Sequence, residues 1–178
     1  IIGSQDETQR VNLEGSRNVF EAATAAGARR LVYASSVAAY GFHEDAPALL
    51  TEDLPPRGTE RHYYSAQKAE LEGALTQVLK GSETEAYVFR PCIVAGPDAL
   101  AMIRNIPYVE LLERLREGRL PLAGTISDAL SRFPGIKPVI PDPSVPFQLV
   151  HHDDVAAAMQ AAVLGVGSPG VYNLAGPG

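Results

Sequence analysis

The chain has one cysteine, Cys92, in 178 residues, which excludes an internal disulfide and any all-cysteine metal cluster. That scarcity fits a reducing compartment. No apolar run reaches the roughly 20 residues a membrane helix needs, and no basic segment leads into an apolar one at the start. These absences point to a soluble, cytoplasmic protein without a membrane partner. Basic residues are in deficit, 15 against 21 acidic, for a formal charge of −6. With no long run of either sign, the balance argues against nucleic acid as a main partner and leaves small molecules and protein surfaces. The chain shows no internal repeat, opens without an initiator methionine on "IIGSQDETQR", and ends on a strand and turn, "VYNLAGPG". Joined or trimmed segments are therefore expected. The composition is nevertheless 46% apolar, enough to bury a core.

Residues 5–27 place Val11, Val19, Phe20 and Ala23 at helical spacing, with Gly27 as a stop. "RRLVYASS" reads as a buried strand ending near Ser35 and Ser36, and the proline-rich and glycine-rich stretch to residue 63 as a loop. A helix over 64–80 carries Ala69, Leu71, Leu75, Val78 and Leu79, and "EAYVFRPCIVAG" at 85–96 is a second buried strand. "IPYVELLERLREG" predicts a third helix at 106–118, with interleaved Arg and Glu as a solvated face. Five prolines between 134 and 146 predict an ordered loop or short edge strand. "FQLVHHDDVAAAMQAAVLG" then gives a strand and a helix capped by Asp153 or Asp154, and "GVYNLAG" a last strand. Alternating helices and strands with crossover connections predict a parallel α/β fold. A complete doubly wound sheet has about six strands, so only part of one is represented.

The chemistry is concentrated in "RHYYSAQKAELEG", residues 61–73. Tyr64 and Lys68 lie four apart on one helix face, roughly 6 Å apart along the axis. A phenol with an unperturbed pKa of about 10 is a poor acid or base near neutrality. A nearby ammonium favours the phenolate and brings proton exchange with an alcohol or carbonyl within reach. Ser36, at the carboxyl end of a parallel strand, stands where such folds bind ligands, and its hydroxyl could hold the substrate oxygen.

Four ordered stretches carry a resemblance: "VNLEGSRNVFEAA" with Asn12 and Gly15, "RRLVYASSVAAYG" with Tyr40 and Gly41, the Tyr64–Lys68 pair, and "FRPCIVAGP" with "VHHDDVAAA". Together they resemble the extended and atypical short-chain dehydrogenase/reductase superfamily, in particular its NAD-dependent epimerase/dehydratase branch, and also 3β-hydroxysteroid dehydrogenase-like proteins. The resemblance implies an α/β Rossmann-like doubly wound parallel sheet, represented by its C-terminal part, with a small substrate-binding region. Residues 1–96 would carry the catalytic groups, 97–147 the substrate-binding region, and 148–178 the return to the sheet. The register of Tyr40 and Gly41 selects Ser36 as the residue that polarises the substrate oxygen. Tyr64 would be the acid/base, while Lys68 would hold the nicotinamide ribose and lower the tyrosine pKa. Pro91, Cys92, Ile93 and Val94 would border the ring of NAD or NADP, with Tyr64 and Lys68 also contacting the cofactor. A homodimer through the helices bearing Val19 and Tyr64 is a further implication.

Two departures qualify the match. The family's glycine-rich phosphate loop, and the later residue that selects NAD or NADP, have no counterpart here. Ile93 stands where nucleotide-sugar epimerases place an asparagine that helps hold the substrate phosphate. That points away from a nucleotide sugar and toward a less polar small alcohol or carbonyl. An NAD(P)-dependent oxidoreductase or epimerase/dehydratase is the expected function; the alternative is a non-enzymatic dinucleotide-sensing or interaction module of the same fold. Retention of Ser36, Tyr64 and Lys68 favours the enzyme. His151, His152, Asp153 and Asp154 are not expected to bind metal, since neighbours on a strand point to opposite faces. His62 reads as a solvated loop histidine and Cys92 as a buried small hydrophobe.

Overall fold

The computed structural model describes residues 10–97 and 148–176. The helix expected at 106–118 and the proline-rich segment lie outside them. The described residues up to Val94 and from Gln148 form one compact unit.

Helix α1, Gly15–Ala25, is preceded by one wider π-wound turn, Arg10–Glu14. Its end follows from Gly27, whose φ of 67° suits a residue without a side chain. Gly27 N donates to Thr24 O at 3.0 Å and Ala28 N to Ala23 O at 2.9 Å, the paired bonds of a Schellman stop. Phe20 and the preceding Leu13 are buried, and Ala23 packs against them. Val11 and Val19, expected on the same face, are 58% and 63% exposed; the seam facing the sheet is narrower than the apolar spacing suggests.

Strand β1, Arg30–Ala34, leads into a tight 3-10 turn, Val37–Tyr40, and then a long irregular loop to His62. Helix α2 spans Tyr63–Val78, β2 Glu85–Pro91 and β3 Ile93–Ala95. Chain return brings β4, Leu149–His151, helix α3, His152–Leu164, and β5, Gly170–Leu174. The single strand expected over 85–96 is therefore two. Pro91 has no N–H to continue a ladder. Cys92 N still bonds Leu174 O at 2.9 Å, after which β3 turns away to pair with β4.

The principal sheet has the order β1-β2-β5, with both pairings parallel. The two-residue alternation of strands separates its faces. Leu31, Tyr33, Val88 and Val171 meet α1 and α2 through Leu13, Phe20, Leu71 and Leu75. Val32, Tyr87, Phe89, Tyr172 and Leu174 meet α3 through Ala158, Met159 and Ala162. Each fully buried aliphatic or aromatic side chain contributes roughly 1.5–3 kcal/mol. This is an α/β Rossmann-like arrangement: a parallel sheet with helices on both faces, whose strand carboxyl ends share one edge.

Candidate active site

Ser36 follows β1 at that edge. Its extended backbone, φ −165° and ψ 153°, makes it the cap of the 3-10 turn, and its Oγ accepts from Ala38 N at 3.2 Å. The carbonyl of the same Ala38 accepts from Ser65 Oγ at 2.6 Å. Ser65 is fully buried, so the first turn of α2 is fastened to the serine turn one residue from Tyr64. Ser36 and Tyr64 thereby stand on adjoining elements, and no hydrogen bond joins their hydroxyls among the described contacts.

Lys68 extends from α2 toward β1, donating from Nζ to Ala34 O at 2.8 Å. Its ammonium lies 5.7 Å from the Tyr64 ring centroid and 5.2 Å from that of Tyr33, distances at which aromatic faces attract a cation. Burial holds the Lys68 pKa below the ordinary lysine value, and the Glu72 carboxylate one turn further on opposes that shift. Tyr33 is a second phenol beside the lysine. Its hydroxyl is buried without a hydrogen-bond partner among the described residues. Burial, then the charges of Glu72 and Tyr64, push its pKa up.

Pro91, Cys92, Ile93 and Val94 lie where β2 passes into β3, at the same carboxyl edge as Ser36. Cys92 is half-buried rather than buried, and burial raises its thiol pKa. Ile93 is 42% exposed. By contrast, the concavity of about 670 Å³ lined by Thr24, Arg29, Lys80 and Thr84 lies at the strands' amino ends, away from these groups.

The histidines at β4 behave differently from expectation. Because α3 begins at His152, strand alternation stops there, and donor atoms of His151, His152 and Asp153 come within 4.8 Å of one another. His152 Nε2 and Asp153 Oδ1 are 3.0 Å apart. The helix cap is His151, whose Nδ1 accepts from Asp153 N at 3.3 Å, rather than either aspartate. Asp153 and Asp154 occupy the first turn, where carboxylates complement the helix dipole. His62 is exposed at the start of α2, with its ring edge-to-face on Phe42 at 4.9 Å.

Glu72 and Arg90 belong to this region without having a motif to mark them. Both side chains are nearly inaccessible, and Arg90 Nη2 donates to Glu72 Oε2 at 2.6 Å. The available signal is a lone charge inside an apolar strand, "YVFRPCIV", and an acid one turn beyond Lys68.

The model of the NAD-dependent epimerase/dehydratase family matches residues 2–175. The chain belongs to that family. Among characterised relatives, it is 28% identical over 126 residues to the 3β-hydroxysteroid dehydrogenase type 7 of Rattus norvegicus, covering 68% of this chain and 37% of the relative. Among solved structures, the UDP-glucuronic acid 4-epimerase of Bacillus cereus in complex with NAD superposes with a TM-score of 0.66 at 18% identity, covering 99% of this chain and 51% of that one. A dTDP-glucose 4,6-dehydratase from Streptomyces venezuelae with NAD bound gives 0.60 at 21% identity, covering 92% and 44%. The chain thus spans about half or less of the length of each.

These comparisons correct the expectation that the family member takes something other than a nucleotide sugar. Two of the similar structures are named for UDP- and dTDP-sugar chemistry. The expectation rested on Ile93 alone, which removes one amide contact. Phosphate is equally well held by backbone N–H groups, helix amino ends or arginine forks, so one side chain on a three-residue strand does not decide the class.

Proposed function

We propose that the chain carries the catalytic residues of an NAD(P)-dependent oxidoreductase or epimerase/dehydratase acting on a small alcohol or carbonyl, with nucleotide sugars among the candidate substrates. The observation that carries this reading is the position of Lys68, fixed to Ala34 O at 2.8 Å and 5.7 Å from the Tyr64 ring. An ammonium has three donors, and this bond engages one of them. The remaining two suit the hydroxyls of a cofactor ribose, so the donor set fits a nicotinamide dinucleotide.

In this reading Tyr64 exchanges a proton with the substrate oxygen, Lys68 holds the cofactor ribose beside the Tyr64 ring, and Ser36 donates to that substrate oxygen. For that donation Ser36 uses its hydroxyl hydrogen, since the bond from Ala38 N engages a lone pair. A nicotinamide bound there would supply or accept hydride. Pro91, Cys92, Ile93 and Val94 border it and exclude water. The described strands are taken as the C-terminal part of a doubly wound sheet, with residues 97–147 forming the substrate-binding region. A homodimer through α1 and α2 is included, supported by exposed Val11 and Val19; Val19→Glu should then give a monomer in sedimentation.

The test pairs titration with NAD and NADP with a turnover screen over simple carbonyls, steroid alcohols and nucleotide sugars. Tyr64→Phe should lower turnover by about 10²-fold or more while leaving dinucleotide affinity within a few-fold. Undiminished turnover by the variant sinks the mechanism.

A further inference from the structure

The Glu72–Arg90 pair is 6% and 2% exposed, and a buried pair is weak ground for stability because desolvation can exceed the Coulomb gain. Its contacts suggest a different role. Ser35 Oγ donates to Glu72 Oε1 at 2.5 Å, and Arg90 Nε to the same oxygen at 3.0 Å. Arg90 Nη2 takes the second oxygen, Nη1 donates to Leu54 O at 3.3 Å, and the guanidinium lies 4.4 Å from the Tyr40 ring centroid. One carboxylate therefore joins three elements. Ser35 directly precedes Ser36, Glu72 lies one turn beyond Lys68 and two beyond Tyr64, and Arg90 directly precedes Pro91.

We propose that the Glu72–Arg90 pair is the positioning element of the site, holding the serine turn, the Tyr64–Lys68 helix face and the Pro91–Val94 segment in register. The inference rests on the function proposed above. Fixing several elements through one charge-assisted cluster suits a site that must be held to a fraction of an ångström. The charge effect has a defined setting: Lys68 is faced by Tyr64 and Glu72 on its own helix and by Tyr33 and the Ala34 carbonyl on β1. Glu72 is the anion among them, with Arg90 of β2 behind it. Its loss removes the one carboxylate that opposes the desolvation of Lys68, leaving the Ala34 carbonyl and the two aromatic faces.

Two variants separate positioning from folding. Glu72→Gln strands a buried guanidinium and is expected to fold poorly, so the pair is replaced together as Glu72→Met/Arg90→Met, a substitution type that is often tolerated. Ser35→Ala cuts the tie to the serine turn without stranding a charge. The sequence has three lysines, Lys68, Lys80 and Lys137, so reductive methylation with carbon-13 formaldehyde gives a small set of NMR signals, and Lys68→Arg assigns the one of interest.

The Lys68 signal should titrate at lower pH in the Met/Met variant than in the native protein, with Ser35→Ala close to native. Turnover with NADH or NADPH should fall by about tenfold in Ser35→Ala and on the order of 10²-fold in the Met/Met variant, with KM little changed. An unmoved Lys68 titration in the folded Met/Met variant, or native turnover in Ser35→Ala, overturns the proposal. Failure of the underlying reading looks different: Tyr64→Phe would then retain turnover, while the lysine titration still reports on the pair.

Discussion

Lys68 reaches from the second turn of α2 to the carbonyl of Ala34, the last residue of β1, and the 2.8 Å bond makes the ammonium part of the sheet edge. A lysine side chain free in solvent samples many rotamers, and fixing it costs up to about 2 kcal/mol of entropy. Here that cost is met during folding, so the cation is already in place when a ligand arrives.

Burial of Lys68 has a pH signature. The unfolded chain holds the lysine proton up to about pH 10.4, whereas the folded protein releases it at lower pH. Between those two values the unfolded state binds more protons, so stability rises with pH across that window and this contribution is flat below it. Urea midpoints measured from neutral to alkaline pH, in the native protein and in Lys68→Met, should differ in slope only in that window. Parallel curves would refute the assignment.

Gly41 is held at φ 90°, where a Cβ would meet His43 and stand 2.6 Å from Gly58 O. Backbone strain of this kind costs about 1–3 kcal/mol. Gly41→Ala should lower the denaturant midpoint by at least that equivalent, since Gly58 O is backbone and cannot swing aside. A midpoint within error of native would mean that the serine turn is more pliable than this packing implies.

Leu75, 1% exposed in the α2 seam, reports on the core independently of the site. Leu75→Ala should cost about 2–5 kcal/mol, read from equilibrium unfolding. A loss under about 1 kcal/mol would place Leu75 outside a close-packed core.

Cys92 tests the cofactor border. Desolvation raises its thiol pKa, so alkylation by iodoacetamide, followed by intact mass, should run slower than for free cysteine at the same pH. Saturating NAD or NADP should slow it further. If a dinucleotide binds and the rate does not change, Pro91–Val94 is not the nicotinamide border.

Much of the fold is legible in the sequence because strand and helix periods differ so sharply. "RRLVYASS", "EAYVFRPCIVAG" and "GVYNLAG" each contain a strand of the parallel sheet, and Leu71, Leu75, Val78 and Leu79 face the core as their spacing implies. Other features depend on tertiary context. Val11 and Val19 match the helical period yet lie off the sheet-facing seam. The His151 cap replaces an aspartate because the helix begins at His152, ahead of the start that either acid would set as a cap. Ser36 and Tyr64 are legible as a motif, but the Ser65 bond to Ala38 that brings their elements together is not. Arg90 stands out as a lone charge in an apolar strand, but its pairing with Glu72 is not legible until strand and helix are packed together. Ile93 does not fix the substrate class, because one side chain is a local feature whereas a pocket is built from many segments.

The segment between Gly41 and His62 lacks helix or strand, yet β5 holds it through one residue. Asn173 donates from Nδ2 to Leu50 O at 2.9 Å and from its backbone N to Glu52 at 2.9 Å, while its side-chain oxygen accepts from the Tyr40 hydroxyl at 2.8 Å. Thr51 O, 3.0 Å from the same hydroxyl, shares its single proton. Where the coil is fastened in this way, at Leu50–Glu52, its opening is tied to the last strand of the sheet, so that point should exchange and nick less readily than the exposed stretch 44–49 on the same coil.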